Sequence, residues 1–281
     1  MRSLLFTPGN KPEMMTKSLN GEADAVILDL EDSVPDNQKE AARSEVIKLI
    51  KLNIQKDVYI RVNGLSTPWI IEDIIQLCHY SLKGFVVPKV TCAADVEKID
   101  WLVNSSINES ATKALDFRII AIIETAEGVL NAQKIAQARS PHLEGIMFGA
   151  IDYSLDIKGS SEDGFSMLFP RAQVVTACRS RGLLPIDSVY PNFKDQEGLE
   201  RESQSSKAMG FAGKACIHPA QVEVTNRVFS PSSADITWAK RILESYEKAV
   251  SEGRGAVNVD GYMVDLPVAQ RARNILSLVS R

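Results

Sequence analysis

The sequence predicts a closed (β/α)8 TIM barrel with a C-terminal helical extension. Three observations predict it. Short apolar and β-branched runs recur along residues 1–230, eight in all. Segments with helical spacing separate them. The runs are continuous rather than alternating, as in strands buried on both faces of a parallel sheet. Eight βα units over that length suit a closed barrel. An open doubly wound sheet is the alternative arrangement.

The strand candidates are Arg2–Thr7, Ala25–Leu30, Val58–Val62, Gly84–Lys89, Phe117–Glu124, Gly145–Ile151, Leu184–Val189 and Ala215–His218. Helical spacing is plain in Gln38–Leu52, where Ala41, Ala42, Val46, Leu49 and Ile50 share a face. It recurs in Arg171–Arg181 through Ala172, Val175, Thr176 and Cys178. Residues 231–281 exceed what eight units need. Ala234–Ser251 reads as a charged amphipathic helix ended by Gly253-Arg254-Gly255. Ala256–Val259 is extended, Asp260-Gly261 is a turn, and a last helix follows Met263-Val264-Asp265-Leu266-Pro267 and runs to Leu278. This extension either caps the barrel or reaches another subunit.

Composition narrows the function classes. The chain has 281 residues, 44% hydrophobic and 24% charged, which excludes a disordered or fibrous protein. A net charge of -4 gives no general attraction for nucleic acid or anionic lipid. Cys78, Cys92, Cys178 and Cys216 show neither a C-x-x-C pair nor metal-ligand spacing and read as reduced thiols. The opening MRSLLFTPGN is too short in its apolar run for a signal peptide, and no run is long enough to span a membrane. The expectation is a soluble cytoplasmic protein. Nucleotide-binding glycine loops, H-E-x-x-H and G-x-S-x-G are all absent.

In such a barrel the active site lies at the C-terminal ends of the strands. Charged and polar residues gather there: Asp29, Glu31 and Asp32; Arg61 and Asn63; Lys89; Glu124; Asp152; Asp187 and Tyr190; His218 before Pro219. Glu124 and Asp152 end neighbouring strands at equivalent positions. Two adjacent carboxylates repel unless a cation sits between them. Hard oxygen donors without a His or Cys cluster favour Mg²⁺; each carboxylate could instead pair with a nearby Arg or Lys. Arg61 suits a planar grip on a substrate carboxylate or carbonyl, or a salt bridge to Glu31 or Asp32, or both. Lys89 reads as a partner for the acidic cluster, with a Schiff-base role as the alternative. His218 is open between structural and functional roles. His79 and His142 fall outside the pattern and read as structural or exposed.

The residues then become familiar. Arg2-Ser3-Leu4-Leu5-Phe6-Thr7-Pro8-Gly9, Leu28-Asp29-Leu30-Glu31-Asp32-Ser33-Val34 with Lys39 and Ala42-Arg43, and Arg61-Val62-Asn63 open the pattern. Pro88-Lys89, Ile123-Glu124-Thr125, Phe148-Gly149-Ala150-Ile151-Asp152-Tyr153, Pro185-Ile186-Asp187, Gly213-Lys214, Ile217-His218-Pro219-Ala220-Gln221 and Met263-Val264-Asp265 continue it. In this order, over nearly the whole chain, the sequence resembles the citrate lyase beta-subunit family of the HpcH/HpaI aldolase superfamily. The resemblance implies a barrel holding Mg²⁺ on Glu124 and Asp152, assembled as a homotrimer or hexamer. It implies Arg61 on the oxo-acid or thioester oxygen, with Glu31 and Asp32 in the catalytic set. Asp265 would reach a neighbouring subunit's site as acid/base. Glu124, Gly149 and Ala150 would lie against substrate, and Phe6, Lys11 and Lys17 in the region that holds the CoA adenine and phosphates. Lys11 stands where the family commonly has Arg, His218 where citrate lyase beta subunits often have Asn, and Asn192 where an acidic residue is frequent. The implied activity is Mg²⁺-dependent cleavage of a 3-hydroxyacyl-CoA such as malyl-CoA or citramalyl-CoA to acetyl-CoA and a 2-oxo acid. The alternatives are a citrate lyase beta subunit in a complex, a malyl-CoA thioesterase and a non-catalytic relative. The partners implied are a CoA thioester, a 2-oxo acid and further copies of the chain.

Overall fold

The computed structural model describes residues 1–52, 55–107, 117–161 and 164–279. Eight parallel strands close in chain order, and β1 pairs with β8 through Ser3 and Lys214, which excludes the open sheet. β1 (Ser3–Pro8) leads to α1 (Pro12–Leu19), β2 (Ala25–Asp29) to α2 (Lys39–Ile50), and β3 (Asp57–Arg61) to α3 (Ile70–Leu77). β4 (Gly84–Val87) leads to α4 (Ala93–Ser106), and β5 (Arg118–Ile123) to the short α5 (Ala126–Leu130) and α6 (Ala132–Ala136). β6 (Leu143–Phe148) leads to α7 (Ala150–Asp156) and α8 (Leu168–Ser180). β7 (Leu184–Asp187) is followed by α9 (Gln196–Met209), and β8 (Gly213–Cys216) by α10 (Ala220–Phe229).

The strands are short, and alternation decides which residues face inward. Every strand contributes to the filling of the barrel, through Leu4, Ile27, Tyr59, Val86, Ile122, Met147, Ile186 and Ala215, with Ala25 of β2 and Ile120 of β5 beneath them. Tyr59 brings a polar tip into this apolar core, and its hydroxyl donates to Glu144 at 2.5 Å. A buried phenol finds a partner because an orphaned one is costly. Counting two residues onward from three of these positions reaches Asp29, Arg61 and Glu124. The same face therefore runs from apolar core to charged mouth.

Every strand is shifted or trimmed by a residue or more from the range the sequence suggests, and two of these differences bear on the site. β6 ends at Phe148, and Ala150 and Ile151 already belong to α7. Gly149 breaks the extended run and becomes the residue that opens the helix. β8 begins at Gly213, two residues before the apolar run suggests. Lys214 hides the start of the strand in the sequence, yet it is fully buried, paired with Asp187 at 2.9 Å and Glu202 at 2.5 Å.

The chain forms two compact units, Met1–Asn226 and Arg227–Arg281. The second holds α11 (Ser233–Ser251), the antiparallel pair β9 (Val257–Val259) and β10 (Tyr262–Val264), and α12 (Leu266–Ser277). Ser232 and Asp235 form a reciprocal cap at the start of α11. Asp260 and Gly261 have φ of 53° and 84°, as a tight hairpin turn requires. Ala239, Ile242, Tyr246, Val264, Ala269 and Ala272 give this unit its own small core. No helix among the described residues is long and apolar enough to cross a membrane.

Candidate active site

A cavity of about 520 Å³ opens at the C-terminal ends of the barrel strands. Asp29, Arg61, Glu124 and Asp152 line it together with the ring of Phe6. Register places the first pair: Asp29 of β2 lies opposite Arg61 of β3. Arg61 donates from Nε to Asp29 Oδ1 and from Nη2 to Asp29 Oδ2, both at 2.7 Å. This two-pronged bond fixes the guanidinium plane. Its free edge turns to Glu31 at 3.0 Å and Asp32 at 3.6 Å, and its face covers the Phe6 ring at 4.9 Å. Burial alone would raise the Asp29 carboxyl, but the Arg61 charge and hydrogen bonds hold it below the usual range. Glu31 goes the other way: burial outweighs Arg61 and Lys89 and raises it. Its Oε2 lies near Arg61 without a hydrogen bond.

The loop carrying Glu31 and Asp32 is braced from below. Lys39 on α2 is buried and donates to the carbonyls of Leu30 and Glu31, each at 2.8 Å. One turn on, Arg43 pairs with buried Asp73 of α3 at 2.8 Å. Asp73 also accepts from the Asn63 backbone and side chain at 3.0 and 2.7 Å. Asn63 is thus turned to α3 and does not join the mouth.

Glu124 follows β5, where Ile123 pairs with Phe148 of β6. Gly149 stands beside it, and a Cβ there would lie 2.6 Å from both the Cβ and Oε2 of Glu124. Only glycine permits that approach. Glu124 Oε1 accepts the Lys89 backbone N–H at 2.7 Å. Burial, then the charges of Asp152 and Glu31, push its carboxyl up to about 8. Asp152 is not at the equivalent strand position: it sits in the first turn of α7, because the strand stops at Phe148 and one helical turn carries the carboxylate back to the cavity. Among the described residues neither carboxylate is ion-paired to a Lys or Arg. No three His, Cys, Asp or Glu converge on one metal position among the described residues. Two unpaired hard carboxylates on one cavity fit a divalent ion such as Mg²⁺ that takes its other oxygens from water and substrate.

Of the remaining candidates, only Gly149 and Ala150 belong to this cavity. Asp187 is outside the barrel, since Ile186 points inward and the next residue must point out. It is buried against Arg171 of α8, Ser206 of α9 and Lys214, which hold its carboxyl low against burial. Tyr190 donates to Asp195 at the start of α9 at 2.8 Å. His218 stacks on Phe193 at 4.7 Å and accepts the Ala220 N–H, so its contacts are local. His142 stacks on Phe117 and meets Asp100 at 2.5 Å, and His79 is exposed. Gly149 and Ala150 line the cavity, and the Ala150 N–H donates to Ser188 Oγ at 3.0 Å. Lys11 and Lys17 are exposed at the two ends of α1. Asp265 caps α12 in the second unit, accepting the Val268 N–H at 3.3 Å. The Asp29 clamp on Arg61 is one that the sequence reading misses, since it pairs Arg61 with Glu31 or Asp32; the alternation that puts Asp29 and Arg61 each two places beyond an inward residue is a signal for it only once β2 and β3 are known to pair in register.

Residues 2–219 match the HpcH/HpaI aldolase/citrate lyase family model, and residues 169–275 match that of the C-C bond lyases of the TIM-barrel fold. The chain is 33% identical to citrate lyase subunit beta of Leuconostoc mesenteroides subsp. cremoris, over 99% of this chain and 93% of that one. It is 35% identical to the L-malyl-CoA/beta-methylmalyl-CoA lyase of Cereibacter sphaeroides, over 98% and 93%. The structure superimposes with a TM-score of 0.82 on protein CitE from Mycobacterium tuberculosis in complex with magnesium, acetoacetate and coenzyme A, at 30% identity over 100% and 98% of the two chains. An eight-stranded barrel with a carboxylate-rich mouth, matched along its whole length, places this chain in the HpcH/HpaI aldolase/citrate lyase family.

Proposed function

We propose that the protein is a Mg²⁺-dependent carbon–carbon lyase. Its substrate would be a 3-hydroxyacyl-CoA such as malyl-CoA or citramalyl-CoA, cleaved to acetyl-CoA and glyoxylate or pyruvate. One observation carries this reading: a buried carboxylate without a cationic partner and a clamped guanidinium share one cavity. The malyl-CoA lyase relatives and the CitE complex with magnesium and coenzyme A support it.

Glu124 and Asp152 would hold the ion, which when bound supplies positive charge to the β-oxygen and its neighbouring carboxylate. Arg61 offers its edge to the thioester carbonyl oxygen, where negative charge grows as the α–β bond breaks toward an enolate. Asp29 keeps that edge from rotating, and Glu31 and Asp32 act through Arg61 rather than on substrate. Gly149 and Ala150 form the wall beside Glu124. Lys11 and Lys17 present point charges suited to the CoA phosphates, while Phe6 supports the guanidinium from beneath. Asp265, delivered from another copy of the chain in a homotrimer or hexamer, would protonate the enolate carbon in cleavage and remove that proton in condensation. The assembly would work in the cytoplasm.

The test is product analysis with Mg²⁺ on (S)-malyl-CoA and (S)-citramalyl-CoA. The expected products are acetyl-CoA with glyoxylate or pyruvate. Free CoA with malate or citramalate would replace the lyase with a thioesterase. The similarity to a citrate lyase beta subunit favours a second reading, a citryl-thioester lyase working in a multi-subunit complex. Inertness toward both free esters, with turnover of a carrier-bound citryl thioester to oxaloacetate, would select it.

A further inference from the structure

Lys89 follows Pro88 just beyond β4. Proline has no N–H to give to a strand ladder. Hydrogen bonding to β5 resumes at Val90, whose N–H donates to the Ile122 carbonyl at 3.0 Å. Between them Lys89 has a φ of 53°, in the left-handed region that an L-residue enters only at a cost. This backbone aims its N–H at Glu124 Oε1, 2.7 Å away. The side chain leaves in another direction, and Nζ donates to Glu31 Oε1 at 3.0 Å. A residue in a sparsely populated conformation persists when its surroundings over-determine it. Here an ion pair on one end and a carboxylate on the other supply that constraint.

We infer that Lys89 is a positioning residue: its left-handed backbone, pinned by the ion pair between Nζ and Glu31, holds the Glu124 carboxylate in the pose that receives a divalent cation. The inference rests on the metal-dependent reading given above. Glu124 is then fixed from two sides. The Lys89 N–H takes Oε1, and the bare Cα of Gly149 leaves just enough room for Oε2. The ammonium has a second consequence. It ties the loop after β2 to the end of β4, so the carboxylate beside Arg61 and the carboxylate for the metal share one lysine.

Backbone and charge can be separated by substitution. Lys89→Ala and Lys89→Met remove the ammonium but keep the Cβ that disfavours positive φ. Lys89→Gly removes the ammonium and the steric cost together. Lys89→Arg keeps the charge. The experiment is a Mn²⁺ titration followed by electron paramagnetic resonance on the full-length variants, with thermal unfolding recorded alongside. Lys89→Ala and Lys89→Met are expected to weaken Mn²⁺ binding by about tenfold or more, the usual size when the partner of a metal ligand is lost. Lys89→Gly and Lys89→Arg are expected to stay within about threefold of the parent protein, because each retains one of the two means of holding the turn. Should Lys89→Ala fail to fold, Lys89→Met against Lys89→Gly carries the same comparison. Equal weakening in Ala, Met and Gly would overturn the inference in favour of charge alone, and unchanged binding in all four would overturn it outright. Parent protein that binds no Mn²⁺ would remove both the metal reading and this inference. Mn²⁺ affinities in the expected order without cleavage of any CoA ester would support the inference and overturn only the assigned reaction.

Discussion

Glu124 is buried at the barrel mouth beside two other carboxylates, Asp152 and Glu31. Its carboxyl is pushed to about 8 from an ordinary 4.5, first by burial and then by Asp152 and Glu31. A folded-state value above the unfolded one means that the fold favours the neutral acid. That stabilisation is complete below about 4.5 and is lost as pH rises through about 8. In the presence of a chelator, the melting temperature should therefore fall between pH 5 and 8 (about the span of the two values). Glu124→Gln should flatten that slope, and added Mg²⁺ should raise the parent's melting temperature most at the alkaline end. The same slope in the chelated parent and in Glu124→Gln would show that Glu124 titrates normally. At this scale the sequence singled out Glu124, Asp152 and Arg61, and the structure brings all three to one cavity, although Asp152 reaches it from the first turn of α7 and not from a strand end. The sequence did not reveal that Asp29 is the principal partner of Arg61, because Glu31 and Asp32 are nearer in the motif and equally acidic. Only the paired register of β2 and β3 separates them.

Helix placement decides which motif residues reach the site and which support it. Lys39 and Arg43 lie one turn apart on α2, and neither touches the cavity. One holds the carbonyls of the loop after β2; the other fixes Asp73, which in turn holds Asn63 just beyond β3. Removing one member of a buried, hydrogen-bonded pair leaves the other charge uncompensated, at a cost of about 3–5 kcal/mol. Asp73→Ala should lower the unfolding free energy by about that amount in urea titration. Asp73→Asn, which keeps the acceptor oxygen for Asn63, should cost less. Equal, small losses in both variants would mean that Arg43 finds solvent instead. A sequence shows the spacing of Lys39 and Arg43 but not that they brace two different strands. The same limit applies at β8, where a lysine interrupts the apolar pattern. Lys214 is tolerated in the strand because Asp187 and Glu202 neutralise it in a place that no local pattern identifies.

At the scale of the molecule, the barrel unit carries Glu124 and Asp152 and a separate unit carries Asp265. Tyr262, Met263 and Leu266, all exposed, flank that residue, and Asp265 itself caps α12. If the active assembly shares Asp265 between copies, inactive Glu124→Ala and Asp265→Ala chains should regain activity when co-expressed as mixed oligomers. Each hybrid then contains some sites with an intact barrel and an intact Asp265. Recovery should approach about a quarter of the parent rate for random mixing with independent sites, since each site draws its two halves separately. Hybrids that remain inactive while oligomerising normally would overturn the cross-subunit role of Asp265.

The sequence by itself determined the barrel, the helical extension and the list of charged residues available at the strand ends. Those follow from local regularities: the length of apolar runs, their spacing by helices, and the acid or base at each terminus. Tertiary structure alone decided which of those charges meet. Alternation across the sheet sends Asp187 outward and Asp29 inward, one helical turn returns Asp152 to Glu124, and the left-handed turn at Lys89 diverts a backbone donor to a side chain. Each outcome depends on pairing between segments distant in the chain, where the energy of burying a charge is settled by its partner rather than by its neighbours in sequence.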